Sequence, residues 1–548
     1  MLPKLPNNRG AAKVPITQFG GLDRRAGAGN GAVCDMLNLT GAEVPVLASR
    51  PARKVGAALT KPRGLCAVGT DLFYVEAGAL YKEGTAAPVV ASLPSGADAE
   101  RSFAALGKRL LIWPDKLLYD TKTGASAALE ASFTGTGLVF SDGTYAGEPA
   151  EKNTITTTGE AAFPFNAGDA VTIPACTPTG GVELTVIIRE VSDDKKALRF
   201  YENTFAESGT VSASLTLRRS VPDLDFLCVN ENRVWGCKGD TICCSKLGDP
   251  ANWNVFDGLS TDAWSVETGT PGNFTGCVSF MGYPIFFKED RVFKVYGNRP
   301  SNFELMASAT LGVLPGAEKT LAVAGETLFY LSRAGFVRYN GGYPSAVDTA
   351  LNAKYTGGAA GSDGKKYYVS ALRSDSVREF LVYDPETGLW VKEDDLAVKG
   401  FANVGSVLYA QTAAANVIVA GASSPDETAF DSSVTFADFD RVKIGRGTYT
   451  FASKYPVRIW LRYELAARNV TVESVTTDIA ALTVQISYNG GAFENVTTLP
   501  SGGKTAKYLP VPIRRCDRFR VKLSCNSDWK LYGMEIETRT ERTNRKGG

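Results

Sequence analysis

Acid–base chemistry in this sequence would fall to its carboxylates, because histidine is absent. That absence removes Ser-His-Asp and Cys-His catalysis, imidazole proton transfer and His-ligated metals. Hydrolysis by carboxylates needs two Asp or Glu side chains facing one cavity. Asp290 and Asp363 fall at expected strand ends, yet no spacing singles out a pair, and the repeated Ser-x-Asp-x-Gly-x-x-Trp box of sialidases is missing. Asp431, Asp438 and Asp440 could offer oxygen ligands to calcium. No calcium-loop pattern accompanies them, so solvated loop carboxylates are expected, as for the Glu393-Asp394-Asp395 run. Gly27-Ala28-Gly29-Asn30-Gly31 could cradle a phosphate but lacks the helix that follows such loops, and a flexible turn is expected. The ten cysteines contain no CxxC, and Cys237, Cys243 and Cys244 lack the spacing of a zinc knuckle. Adjacent Cys243 and Cys244 on a strand point to opposite faces. Buried free thiols, in a protein made in a reducing cytoplasm, are expected. The reading is of a non-enzyme with no catalytic, cofactor-binding or metal residues.

The elements that would have to position any such group are short and repeated. Leu321-Ala322-Val323-Ala324-Gly325-Glu326-Thr327-Leu328-Phe329-Tyr330-Leu331-Ser332, then Gly335-Phe336-Val337-Arg338-Tyr339, is the clearest copy of a strand–turn–strand–turn–strand unit. Related stretches occur at 65–82, 103–119, 226–245, 278–296, 366–392 and 404–420. One such sheet cannot bury both faces alone, so the repetition predicts a propeller or solenoid. Two units share a Tyr-Asp-x-x-Thr-Gly hairpin, at Tyr119-Asp120-Thr121-Lys122-Thr123-Gly124 and Tyr383-Asp384-Pro385-Glu386-Thr387-Gly388. There Asp opens the turn through its side chain and Gly takes the left-handed closing position.

The predicted fold is all-β: a β-propeller of about seven blades, with an inserted small β-barrel or sandwich module and a C-terminal β-sandwich. Residues 1–60 read as an extended docking arm, with eight Lys/Arg against three Asp/Glu up to Lys54. Blades are expected over 61–131 and 220–424, the inserted module over 132–219, the sandwich over 425–538 and a basic disordered tail over 539–548. The module is marked by alternating strands about a Gly168-Asp169 turn, the sandwich by longer alternating strands and the Asn489-Gly490 hairpin signal. Lys and Arg number 59 against 58 Asp and Glu, which argues against whole-protein attraction to nucleic acid or anionic membrane. Residues 1–10 have no hydrophobic signal core, and no apolar run approaches the ~20 residues of a membrane span. A soluble protein that does not insert in membranes is expected.

The most specific segment is Glu231-Asn232-Arg233-Val234-Trp235-Gly236-Cys237, running on to Ser245-Lys246-Leu247-Gly248-Asp249-Pro250-Ala251-Asn252-Trp253. It resembles the N-R-(L/V)-W … S-x-x-G-D-P-x-x-W stretch of tailed-bacteriophage propeller proteins of the packaged-DNA stabilisation or tail nozzle type. Gly282 to Asp290, Leu328 to Gly335, Phe19-Gly20-Gly21-Leu22-Asp23, Asp35 to Leu39 and Pro45 to Pro51 are similar to further parts of such neck and tail proteins. The likeness spans scattered pieces of residues 15–420.

The resemblance implies a virion structural protein at the neck or tail, made in the bacterial host cytoplasm. It would self-associate, commonly as a homo-hexamer, form a ring around the DNA channel, contact portal, adaptor or other tail proteins, and help retain and conduct packaged DNA. The near-neutral overall charge suits such a conduit, since a strongly basic bore would hold DNA through its phosphates and slow ejection. The arm around Arg24, Arg25, Arg50, Arg53 and Lys54 would hook a neighbour, so removing residues 1–54 should abolish assembly and leave the blades folded. The alternative is a receptor-binding protein that recognises a host surface glycan, with Trp460, Tyr463, Tyr508 and Trp529 as candidate stacking faces, although such rings in alternating strands usually belong to the core.

Overall fold

The structure, a computed structural model, describes residues 11–29, 31–144, 152–201, 203–428, 430–444, 448–451, 453–472 and 475–540. Strands and three single-turn 3-10 helices are the regular elements of these residues, and the chain is all-β. It divides into two compact units, Leu59–Glu318 and the combination of Met1–Ala58 with Lys319–Gly548.

The repeated units form one three-stranded and six four-stranded antiparallel sheets. Four belong to the Leu59–Glu318 unit: the first at 62–82, the second at 102–128, the third at 226–267 and the fourth at 276–309. Their leading strands, Pro62–Val68, Ser102–Leu106, Phe226–Asn230 and Gly276–Phe280, lie beside one another in that order. The fifth (322–346), sixth (355–394) and seventh (400–420) belong to the other unit, where the leading strands of successive sheets are again neighbours. The fourth strand of the seventh sheet comes from far upstream, Lys54–Ala58 pairing with Ala415–Ala420.

Burial is graded across each sheet, which explains the sequence pattern. Second strands such as Leu110–Trp113, Ile285–Phe287 and Leu328–Leu331 are buried along their whole apolar runs, whereas outer strands such as Ser126–Ala128 and Glu304–Ala309 are mostly exposed. A strand covered on both faces reads as a continuous apolar run rather than an alternation. The two Tyr-Asp-x-x-Thr-Gly hairpins join third to fourth strands. Asp120 Oδ1 accepts the Lys122 and Thr123 N–H groups at 2.8 and 3.2 Å, and Asp384 Oδ1 accepts those of Glu386 and Thr387 at 2.9 and 3.3 Å. Gly124 and Gly388 close them at φ +74° and +70°.

Eight strands between Ala131 and Arg219 form one further sheet, placed between the second and third small sheets in sequence. Its strand Leu184–Val191 pairs first with Ala170–Ile173 and then, past an irregularity between Ile188 and Glu190, with Ala197–Phe200. Bulges of this kind bend a sheet. Phe133, Phe140, Phe163, Phe165, Phe200 and Phe205 cluster in the core of this inserted sheet.

The C-terminal strands differ from expectation, forming two sheets that also take in strands from residues 11–49. A six-stranded sheet contains Ala11–Ile16, Leu39–Thr40 and Leu47–Ser49 with Lys454–Leu465, Gly502–Pro510 and Trp529–Thr540. A five-stranded sheet places Val33–Leu37 beside Ser432–Phe436, followed by Phe519–Cys525, Ala481–Tyr488 and Glu494–Pro500. The two are joined where the buried Trp529 indole donates to Ser432 Oγ at 2.7 Å. Residues 11–58 are therefore not an outlying arm, and residues 425–538 are not a complete domain. A strand needs a partner for its N–H and C=O groups, and both chain ends find theirs in each other. Arg539 and Thr540, expected in the tail, continue the last strand, with Arg539 opposite Ala11. Residues 541–548, 1–10 and Asn30 of the glycine cluster lie outside the described residues. Glycine is required at position 21, where φ is +69° and a Cβ would sit 2.6 Å from the Trp390 carbonyl oxygen.

Candidate functional site

Arg24, Arg25, Arg50 and Arg53 of the N-terminal segment pair with carboxylates of their own chain. Arg24 makes two bonds to Glu379, Nη1 to Oε2 at 3.1 Å and Nη2 to Oε1 at 2.6 Å. Arg25 returns to Asp23, and Arg50 forks onto Glu427 at 2.7 and 3.0 Å. Arg53, buried, reaches Glu393 at 2.7 Å and Asp394 at 2.6 Å, while its own N–H donates to Glu427. The Glu393-Asp394-Asp395 run is thus not a uniformly solvated turn, since only Asp395 is exposed. Bidentate pairing in low dielectric suits the planar guanidinium, and it turns a surplus of positive charge into internal fastening.

One of these pairs makes stability depend on pH. Burial alone would push the Glu379 carboxyl up, but Arg24 and the Tyr355 hydroxyl (2.9 Å) together hold it below the ordinary 4.5. A folded value below the unfolded one contributes stability above about pH 4.5 that is lost as pH falls through the folded value. Urea midpoints followed from about pH 7 to about pH 3.5 should fall more steeply for the native chain than for Glu379→Gln. Parallel curves would remove Glu379 as a source of acid sensitivity.

The segment that carries the family resemblance also builds architecture. Asn232 holds the left-handed second position of a two-residue turn at φ +59°. Arg233, fully buried, donates to the carbonyl oxygens of Ser245 (2.9 Å), Ser260 (2.8 Å), Thr261 (3.4 Å) and Asp262. It thereby folds residues 245–262 around itself. Asp249 caps the Asp-Pro turn through the Ala251 N–H, and the Trp253 indole donates to the Pro250 carbonyl. Asn252 bridges Asp249 (2.7 Å) and Asp169 (2.9 Å) and accepts from the Ala170 N–H, while Arg219 pairs with Asp169 at 2.5 Å. This buried network fixes the inserted sheet to the third sheet. Asp169 was legible only as part of a Gly-Asp turn; Asn252 and Arg219 carried no signal of their own, because their partners are distant in sequence.

The remaining candidates are scattered. Asp290 lies 3.8 Å from Arg291. Asp363 caps its turn through the Lys365 and Lys366 N–H groups and accepts from the Tyr368 hydroxyl, and it belongs to the other unit from Asp290. Asp438 takes Arg520 bidentately at 2.9 and 3.1 Å, and the Asp431 carbonyl accepts from Asn38. Cys243 and Cys244 are free thiols whose acidity burial weakens, pushing both up to about 12. Of the four rings proposed as stacking faces, Tyr463 and Trp529 are core. Trp460 is half-buried, its ring 6.4 Å from that of the exposed Tyr508.

A cleft of about 650 Å³ at one end of the six-stranded sheet brings Glu43, Glu464, Asp528 and Lys530 together. Lys530 binds both Glu43 oxygens at 2.7 Å, and Glu464 accepts from the Tyr532 hydroxyl at 2.7 Å. The Glu43 hydrogen bond pushes the Lys530 ammonium up. The arrangement is an ion-paired rim.

No family model and no curated protein matches the chain. Among solved structures it is similar to PorZ, an essential bacterial surface component of the type-IX secretion system of Porphyromonas gingivalis, at 12% identity over 82% of this chain and 70% of that one, with a TM-score of 0.25. It is also similar to a GH43 glycoside hydrolase engineered for endo-xylanase and exo-arabinofuranosidase activity, at 10% identity over 59% and 97% of the two chains and a TM-score of 0.19. A GH43 protein from Bacillus licheniformis aligns at 7% identity over 89% and 99%, with a TM-score of 0.16. At TM-scores this low the likeness carries neither fold nor activity to this chain.

Proposed function

We propose that this chain is a non-catalytic structural protein of a tailed-bacteriophage virion, placed at the neck or tail as a nozzle or hub. Its seven small sheets are read as the blades of a propeller, and copies of it assemble as a ring, commonly of six, around the DNA channel. The ring would contact portal, adaptor or other tail proteins and touch packaged DNA transiently. The observation that carries this reading is the 231–254 segment: residues resembling the phage pattern, from Asn232 to Trp253, are spent on turns, the Arg233 staple and the Asn252 bridge. A motif devoted to holding a scaffold suits a part whose task is shape.

In this reading Arg24, Arg50 and Arg53, whose carboxylate partners are internal, are not the hook between subunits. Neighbours would instead meet through heterologous faces of the folded units, which close into a ring when the rotation permits. Light scattering on the full chain tests this. A mass near six times the 58.4 kDa subunit supports the ring. A monomer that stays one after mixing with portal–adaptor complexes overturns it. A second reading, a receptor-binding protein for a host surface glycan, is favoured by the Tyr508 and Trp460 rings on the sandwich.

A further inference from the structure

We propose that the inserted sheet and the turn that follows the third strand of the third sheet form a preorganised groove for a neutral oligosaccharide. The groove, about 700 Å³, is lined on one side by Leu184 to Ile187 with Tyr201, Asn203 and Thr204, and on the other by Asn254, Phe256 and Asp257. Two rings stand open in it, Phe256 at 59% and Tyr201 at 50% exposure. Large rings are usually buried, and the backbone that holds these two out is tightly pinned.

On the Tyr201 side, fully buried Asn153 donates to the Phe200 and Tyr201 carbonyls, both at 3.1 Å, and accepts the Thr204 N–H at 2.9 Å. Asn203 Oδ1 accepts the Gly143 N–H at 3.0 Å, which orients its amide. Arg189 packs over the Tyr201 ring, 5.6 Å from the centroid. On the Phe256 side, buried Asp262 accepts the N–H groups of Asp257 (2.6 Å) and Leu259 (2.9 Å), and Arg233 holds the Ser260 and Asp262 carbonyls. Asn252 and Asp169 tie the two walls together.

The chemistry fits a sugar. A pyranose has C–H faces that lie on aromatic rings and hydroxyl edges that need both donors and acceptors. Phe256 and Tyr201 supply the first; Thr185, Asn203, Thr204, Asn254 and Asp257 supply the second. The described lining residues carry one carboxylate and no cation of their own, and the neighbouring Arg189 is engaged with the Tyr201 ring, which favours a neutral ligand over a phosphorylated or sulfated one. Concave sites with few convergent polar groups on fixed backbone lose little entropy on binding. The groove's volume falls within the roughly 300–1,000 Å³ of small-ligand sites.

The inference is independent of ring assembly, and its test reads binding apart from mass. The full chain is applied to an array of neutral oligosaccharides, and hits are titrated by calorimetry with the native chain, Tyr201→Ala, Phe256→Ala and Tyr508→Ala. Both groove rings are exposed, so an unchanged thermal midpoint is expected for all three variants. The expected result is binding of at least one neutral oligosaccharide, weakened about tenfold or more by each groove substitution and unchanged by Tyr508→Ala. Absence of binding on the array, binding that survives both groove substitutions, or loss confined to Tyr508→Ala overturns the proposal. Loss confined to Tyr508→Ala would place the sugar on the sandwich instead.

Discussion

Replacing Arg53 by methionine is expected to lower the unfolding free energy by about 3–5 kcal/mol, the usual cost of removing one partner from a buried ion pair. Arg53 lies against the Phe380 ring, 5.0 Å from its centroid, with Glu393 and Asp394 on its guanidinium. Burial already pushes the Glu393 carboxyl up in spite of Arg53. Without the arginine it rises further, and a folded value above the unfolded one gains stability as pH falls through it. The deficit of Arg53→Met should therefore shrink on mild acidification. Adding Glu393→Gln should recover much of it at neutral pH, since the orphaned charge is then gone. Urea unfolding of the two single variants and the double variant measures the coupling. A single-variant loss under about 1 kcal/mol would show that water reaches the pair and that it is worth no more than a surface bridge. The same reasoning revises the effect of removing residues 1–54. That deletion takes away four strands and the partners of Glu379, Glu393 and Glu427. Misfolding of the Lys319–Gly548 part is expected, rather than a folded chain that merely fails to assemble.

Arg233→Ala should cost about 3–5 kcal/mol and loosen a specific stretch of chain. Hydrogen bonds to charged donors contribute roughly 1.5–3 kcal/mol each, and the carbonyls of residues 245, 260, 261 and 262 would lose theirs together. The guanidinium plane also packs near Phe303, 5.8 Å from the ring centroid, so a cavity opens as well. Limited proteolysis should then cut within 246–262, where the native chain resists. Arg233→Lys should rescue only part of the loss, because one ammonium cannot span acceptors fanned around a planar fork. An unchanged thermal midpoint and an unchanged digest would mean that the 245–262 backbone holds itself without the arginine. Because Phe256 rides on this stretch, the same variant should weaken any ligand of the groove.

Much of the fold was legible along the chain because its information is local. The apolar second strands, the left-handed glycines and the Asp side chains that open two hairpins act within a few residues of themselves. The inserted sheet was legible for the same reason: several of its strands alternate where the flanking small sheets run apolar. The leading strand of the sixth sheet was placed too late, from 366 instead of Tyr355, because Tyr355-Thr356-Gly357-Gly358-Ala359-Ala360 is too poor in large apolar residues to read as a strand. No comparable local rule reveals a site. Asp290, Asp363, Asp438 and Asp440 look alike in sequence, and only their neighbours in space make one a turn cap and another an arginine partner. The groove was illegible because Tyr201 follows a strand of the inserted sheet whereas Phe256 lies in a loop of the third sheet, far away in sequence.

The sequence by itself determined an all-β chain of repeated small sheets, with an insertion near residues 132–219 and long alternating strands toward its end. Tertiary structure alone decided that Ala11–Ile16 pairs with the last strand, that Lys54–Ala58 completes the seventh sheet, and that Arg24, Arg50 and Arg53 are internal fasteners. The physical reason is the same in each case. A strand's hydrogen-bonding edge is made of backbone, identical for every residue but proline, so it states that a partner is needed without naming one. A charged side chain is likewise ambiguous until the fold removes its water and supplies the opposite charge.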